Sequence, residues 1–172
     1  MITNTIPYYR SQPVEEIYPL DYTTYVPRGS TSLLDGIGRT ITELGHRLRD
    51  TPEEERPGQV IVAIFTDGQE NSSTEFEMDE INRLVTQQRN VYSWNLLFLA
   101  GNQDAIATAA RLGIARNLAV TVENSWHGQQ ANLRAAFRSI LEARETAETF
   151  GSEASCELMT SYSLGNAYED EL

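Results

Sequence analysis

Apolar positions recur along this chain with two different spacings, and the spacings alternate. Leu34, Ile37, Ile41, Leu44 and Leu48 fall at steps of three and four, which places them on one face of a helix from about Ser32 to Arg49. Asp50 to Gly58 is charged and closes on Pro57-Gly58, a helix stop followed by a short connection. Val60-Ile-Val-Ala-Ile-Phe-Thr-Asp-Gly68 is then apolar without interruption and rich in β-branched residues, the pattern of a strand buried on both faces. A second helix is predicted from about Glu75 to Gln88, with Ile81, Leu84 and Val85 inward. A second buried strand follows over Tyr92 to Leu99 and ends in the turn Ala100-Gly-Asn-Gln-Asp104.

Gln103 to Leu112 reads as a helix capped by Gly113, and Asn117 to Val122 as a third strand. A long last helix, from about Gly128 to Phe150, is expected to carry Leu133, Phe137, Ile140 and Leu141 toward the core, with Gly151 stopping it. Strand and helix alternation predicts an α/β fold, a doubly wound, Rossmann-like and mostly parallel sheet with flanking helices. Residues 1–24, rich in Tyr, Thr and Pro with alternation over Val14 to Leu20, read as an extended arm or an edge strand. Residues 151–172, small, polar and acidic, read as a mobile tail, which leaves one domain over 25–150.

Composition narrows the class. With 172 residues and 40% hydrophobic content the chain suits a single core. A net charge of −12 repels nucleic acid and anionic membranes, and makes a cation or a basic protein the easier partner. One cysteine, Cys156, excludes an intrachain disulfide. With no signal-like opening and no membrane-length apolar run, the expected localisation is cytoplasmic.

Chemistry is sparse. There is no GxSxG, no Walker-type GxxxxGK[ST], no strand-linked GxGxxG and no HExxH, and all 13 positive charges are arginines. His46 and His127 lack a ligand partner at metal spacing and read as surface residues. What stands out is Asp67, which ends the apolar run at the edge where open parallel sheets place their ligands. It reads as a functional carboxylate or as an ordinary Asp-Gly turn. Thr31 precedes a helix, where Ser32 and Asp35 fit a capping box. Asn71 and Ser72 fit a cap for the following helix. Ser30, Asn71, Asn102 and Asp104 are candidates for the rim of the same surface.

Three segments in this order, Arg28-Gly-Ser-Thr-Ser-Leu-Leu-Asp-Gly-Ile-Gly38, Ile64-Phe-Thr-Asp-Gly-Gln-Glu-Asn71 and Phe98-Leu-Ala-Gly-Asn-Gln-Asp-Ala105, resemble landmarks of a von Willebrand factor A (vWA) domain of the intracellular bacterial or phage type. The resemblance runs from about Tyr25 to Leu141. It implies a metal-ion-dependent adhesion site (MIDAS) in which Thr31 and Asp67 ligate Mg²⁺, or Mn²⁺ or Ca²⁺. The Asp-x-Ser-x-Ser strand of such domains has no counterpart in the chain, so the expected site is incomplete, its metal weak or absent, and the fold an N-terminally truncated vWA-like one. Val60 to Phe65 is then expected to be an unpaired edge, open to self-association or to a partner chain. The function expected is a non-enzymatic protein-interaction module, using the carboxyl end of its sheet and a divalent cation at the incomplete MIDAS. Two alternatives stand beside it, a Mg²⁺-dependent phosphohydrolase using Asp67 and a metal-free structural subunit.

Overall fold

The computed structural model describes Glu16 and residues 30–101, 105–123 and 125–161. Within these residues helices and strands alternate: α1 (Leu33–Asp50), β1 (Ile61–Thr66), α2 (Met78–Tyr92), β2 (Asn95–Gly101), α3 (Ala105–Arg111), β3 (Ala119–Val122), α4 (Trp126–Phe150) and α5 (Ser152–Ser161). The strands pair in parallel in the order β1-β2-β3, with Ile61 opposite Asn95 and Phe98 opposite Ala119. This is the α/β architecture that the alternating periods predict, an open parallel sheet with flanking helices in a Rossmann-like arrangement. The expected arm over Val14 to Leu20 lies outside the described residues, Glu16 apart.

The two apolar strands differ in burial. β2 lies between β1 and β3, and Leu96, Leu97, Phe98, Leu99 and Ala100 are wholly buried. β1 has a strand neighbour on one side only among the described residues, its residues are half-buried, and Phe65 is 45% exposed. An unbroken apolar run thus means full burial in β2 but not in β1, because β1 sits at the edge of the sheet formed by the described residues.

α1 packs against α2 and α2 against α3. α1 buries Leu33, Leu34, Ile37 and Ile41, with Leu44 and Leu48 partly covered, as its spacing predicts. α4 reverses expectation. Of the four residues predicted to point inward, Ile140 alone is partly buried, while Leu133, Phe137 and Leu141 are exposed. The buried face is a ridge of small side chains, Ala131, Ala135, Ser139 and Ala143, with Ala136 beside it. Small residues let a helix axis approach its neighbour closely, and α4 uses that closeness to pack on α5 and β3. The Ser139 hydroxyl is satisfied within the helix by the Ala135 carbonyl at 2.7 Å.

The tail expected after Gly151 begins as structure. Gly151, at φ 91°, ends α4, and the chain turns back as α5. Ser155 and Met159 of α5 are wholly buried. The Ser155 hydroxyl lies 2.6 Å from the Ala143 carbonyl and 2.7 Å from Gln59 Oε1, which ties α5 both to α4 and to the segment leading into β1. No helix among the described residues is long and apolar enough to cross a membrane.

Candidate functional site

Three segments converge at the carboxyl end of β1 and β2: residues 30–35 entering α1, residues 67–76 leaving β1, and Gly101 closing β2. Convergence is tight at Gly68, where a Cβ would lie 2.3 Å from Thr31 Oγ1, whereas a Cβ on Gly101 would make an ordinary contact, 3.7 Å from Asp67 Cα. The Thr66 hydroxyl holds the turn, 3.3 Å from the Gly68 amide that donates to it and 2.9 Å from the Gly68 carbonyl that accepts from it.

The first and second segments are joined by a ladder of polar contacts. The Thr31 amide donates to Asn71 Oδ1 at 2.9 Å, and the Asn71 amide returns a bond to the Thr31 carbonyl at 3.1 Å. One residue further, the Ser32 and Ser72 hydroxyls lie 2.9 Å apart. Glu70 then bridges the segments. Its Oε1 accepts from the amides of Ser72 and Ser73 at 2.9 and 2.8 Å, and its Oε2 from the Ser73 hydroxyl at 2.7 Å and the Leu34 amide at 2.9 Å. Asp35 does the same in the opposite direction. Its carboxylate, 4% exposed, accepts from the amides of Thr74, Glu75 and Phe76 at 3.0, 2.9 and 3.1 Å. Arg39, one turn on in α1, forms an ion pair with Glu75.

Apart from the Ser32–Ser72 and Arg39–Glu75 pairs, these contacts answer a need of the backbone. The first turn of a helix leaves amides without partners and carries positive partial charge. In α1 those amides are met from a distant loop, Leu34 by Glu70 and Asp35 by the Ser73 hydroxyl at 3.1 Å. The capping box predicted for Ser32 and Asp35 is therefore replaced: the N-cap Ser32 makes no side-chain cap bond, and Asp35 serves the loop instead of its own helix. Asn71 and Ser72 likewise face α1 and do not cap α2, whose N-cap is Glu77. Gly38 leaves room for the Phe76 ring, 2.6 Å from where a Cβ would stand, so the loop seats against the helix.

Burial pushes the Asp35 carboxyl up, but the three amides and Arg39 prevail and hold it below its ordinary value. Glu70 follows the same pattern: burial raises it, and the Ser73 hydroxyl with the amides of Ser73, Leu34 and Ser72 brings it below the ordinary glutamate value. Both groups stay ionised because amide donors surround them.

The chain matches no protein-family model, no curated protein and no solved structure.

Of the residues singled out from sequence, Thr31, Asp67, Ser30 and Asn71 are brought to this one edge, Thr31 half-buried and the others exposed. Asn102 and Asp104 lie outside the described residues. Sequence reasoning missed Glu70 and gave Asp35 only a local role. Part of Glu70's role was legible, since an acid followed by Ser72 and Ser73 can collect their amides locally; its bond to Leu34 spans 36 residues and has no sequence signal. Asp35 and Glu70 accept from backbone amides, and Thr31 Oγ1 stands 2.3 Å from where a Cβ on Gly68 would be. No group of three or more His, Cys, Asp or Glu suited to a metal ion occurs among the described residues. A cavity of about 550 Å³ lies at the opposite end of β1, near Leu48, Gly58, Val60 and Trp94, and no candidate residue lines it.

Proposed function

We propose that this chain is a non-enzymatic protein-interaction module, a vWA-like domain without the Asp-x-Ser-x-Ser strand, that binds a protein partner through the carboxyl end of its sheet. The observation that carries this reading is the ladder from Thr31–Asn71 to Asp35–Phe76, which fixes the loops around Asp67 before any partner arrives. A loop surface already ordered loses little conformational freedom on binding, so more of the contact energy is left for affinity. The order of the landmarks along the chain and the gathering of Thr31, Asp67 and Gly101 at one sheet edge support the vWA-like reading. In this proposal side-chain carboxylates tie the loops together where a metal would otherwise do so. Asp67 and Thr31 are the residues that would hold Mg²⁺ if a partner supplied the remaining oxygens, and binding does not depend on it.

The test is affinity capture on immobilised wild-type chain and on Asp67→Arg, with and without EDTA, after circular dichroism has shown both to be folded. A discrete partner retained by wild type in EDTA and lost with Asp67→Arg is the expected result. Retention that ignores Asp67→Arg moves the interface elsewhere and defeats the proposal. Hydrolysis of p-nitrophenyl phosphate that disappears in Asp67→Asn would assign an enzyme instead.

A further inference from the structure

We propose that the cavity at the amino-terminal end of β1 is a second binding site, one that takes a small organic anion with an apolar body and sets its charge against Arg56. The site is independent of the partner surface around Asp67, which lies at the opposite end of the strand.

The cavity has an apolar, anchored inner wall. Its volume is about 550 Å³, within the range of small-molecule sites. α1 contributes Ile41, Gly45 and Leu48, α2 contributes Leu84, and Val60 and Trp94 close it just before the two strands. Ile41 and Trp94 belong to the buried core, and Leu48, Val60 and Leu84 pack partly against it. The Asn95 amide donates to the Val60 carbonyl at 2.9 Å and the Trp94 amide to the Gln88 carbonyl at 3.1 Å, which ties the strand starts to each other and to α2. Gly45 opens the remaining side. It lies inside α1, where glycine is less favourable than alanine, and a Cβ there would meet nothing within 4 Å, so no close approach explains it. What the missing side chain leaves is open space on the cavity wall.

Charge selects the ligand. The chain has 25 acidic residues, and none of those described lines the cavity, whereas His46, Arg49 and Arg56 do. Arg49 is matched by Asp50 at 2.9 Å. Arg56 is held differently: its Nε donates to the Thr51 carbonyl at 2.9 Å and its Nη2 to the Arg49 carbonyl at 3.1 Å. Two neutral carbonyls fix the guanidinium in place without neutralising it, and among the described residues no carboxylate pairs with it. Its Nη1 donors are left for an anionic oxygen. The exposed Glu53–Glu55 just before it and the net charge of −12 oppose long-range attraction of any anion, so a polyanion such as nucleic acid or a membrane surface is repelled. A single carboxylate or sulfonate on a hydrocarbon body avoids that repulsion, because direct contact with Arg56 holds the charge while the body displaces water from the apolar wall.

Two fluorescent probes test the idea on the full chain: anilinonaphthalene sulfonate, and phenylnaphthylamine, which has the same rings without the sulfonate. Both are titrated into wild type and variants, each checked for helix content by circular dichroism. Wild type is expected to bind the sulfonate at one site, and decanoate to displace it. Arg56→Gln should weaken the sulfonate and decanoate roughly tenfold and leave phenylnaphthylamine unchanged, since it removes a charge-assisted hydrogen bond and no apolar wall. Gly45→Trp, which fills the open side, should abolish binding of both probes. With Trp126→Phe in place Trp94 is the remaining tryptophan, and its emission should be transferred to the bound sulfonate; this reading decides the location even if Gly45→Trp does not fold. A wild type that binds neither probe overturns the proposal, because the cavity is then not open to a ligand in the whole chain. So does binding indifferent to Gly45→Trp or without transfer from Trp94, which would locate the probe elsewhere, such as the exposed face of α4. Equal effects of Arg56→Gln on the two probes, or none on either, overturn the assignment of an anion.

Discussion

Helices α1 and α4 carry apolar side chains at the same three-and-four spacing and use them oppositely. In α1 the large residues Leu34, Ile37 and Ile41 are buried and the charged residues of its last two turns face water. In α4 the large residues Leu133, Phe137 and Leu141 face water, and alanines and a serine face the sheet and α5. Periodicity is a property of the helix alone, whereas inwardness depends on the depth of the groove that receives it. α1 lies over a surface with room for isoleucine. α4 is held so close by α5 and β3 that only small side chains fit between, and its bulk is turned outward.

The contrast predicts unequal effects of similar mutations. Ile41→Ala, at a site 1% exposed, should destabilise the fold by about 3 kcal/mol, from lost transfer energy and the cavity left behind, read as a shift in urea midpoint at unchanged slope. A loss below about 1 kcal/mol would mean that α1 is less well packed than the structure shows.

Next in size is the polar joint at the head of α1, which has no counterpart in α4. There the N-cap is local, with the Ser125 hydroxyl accepting from the Gly128 amide at 3.0 Å. Asp35→Ala should cost about 2 kcal/mol because it leaves three loop amides without their acceptor. The same joint gives a pH dependence whose sign follows from linkage. Asp35 and Glu70 have folded-state values below their ordinary 3.8 and 4.5, so the unfolded chain takes up protons first as pH falls. Their contribution is complete at neutral pH, begins to fall as pH drops to the unfolded values, and is gone once pH has passed below the lowered folded ones. The Tm of wild type should therefore decline more steeply between about pH 5 and 3 than that of the chain with both Asp35→Asn and Glu70→Gln. Parallel declines would show that these carboxylates are not held as described.

Smallest is Leu133→Ser on α4. Measured at concentrations where the chain is monomeric, it should change stability by less than about 0.5 kcal/mol. A loss comparable with Ile41→Ala would place Leu133 in the core and erase the contrast.

Much of the fold was legible because secondary structure is written in local spacing. The boundaries of α1, the apolar character of β1 and β2, the glycine stop at Gly151 and the parallel alternation all follow from patterns a few residues long. Asp67 and Thr31 were legible as residues at a strand end and a helix start, and the structure brings them to one edge. The two carboxylates that organise that edge were not, since each takes amides from a segment 36 to 41 residues away.

What the sequence determined by itself is therefore the elements from α1 to α4, their order and the end of the sheet at which polar loops gather, since these rest on spacing and on chain direction. Tertiary structure alone decided three things. Among the described residues it set β1 at the edge and β2 at the centre, though both are apolar runs, because burial depends on how many neighbours a strand acquires. It turned the alanines of α4 inward and its phenylalanine outward, because close packing against α5 and β3 admits only small side chains. It gave the orphan amides of α1 to Glu70 and Ser73 and those of residues 74–76 to Asp35, because a buried N–H takes whatever acceptor the fold brings within reach.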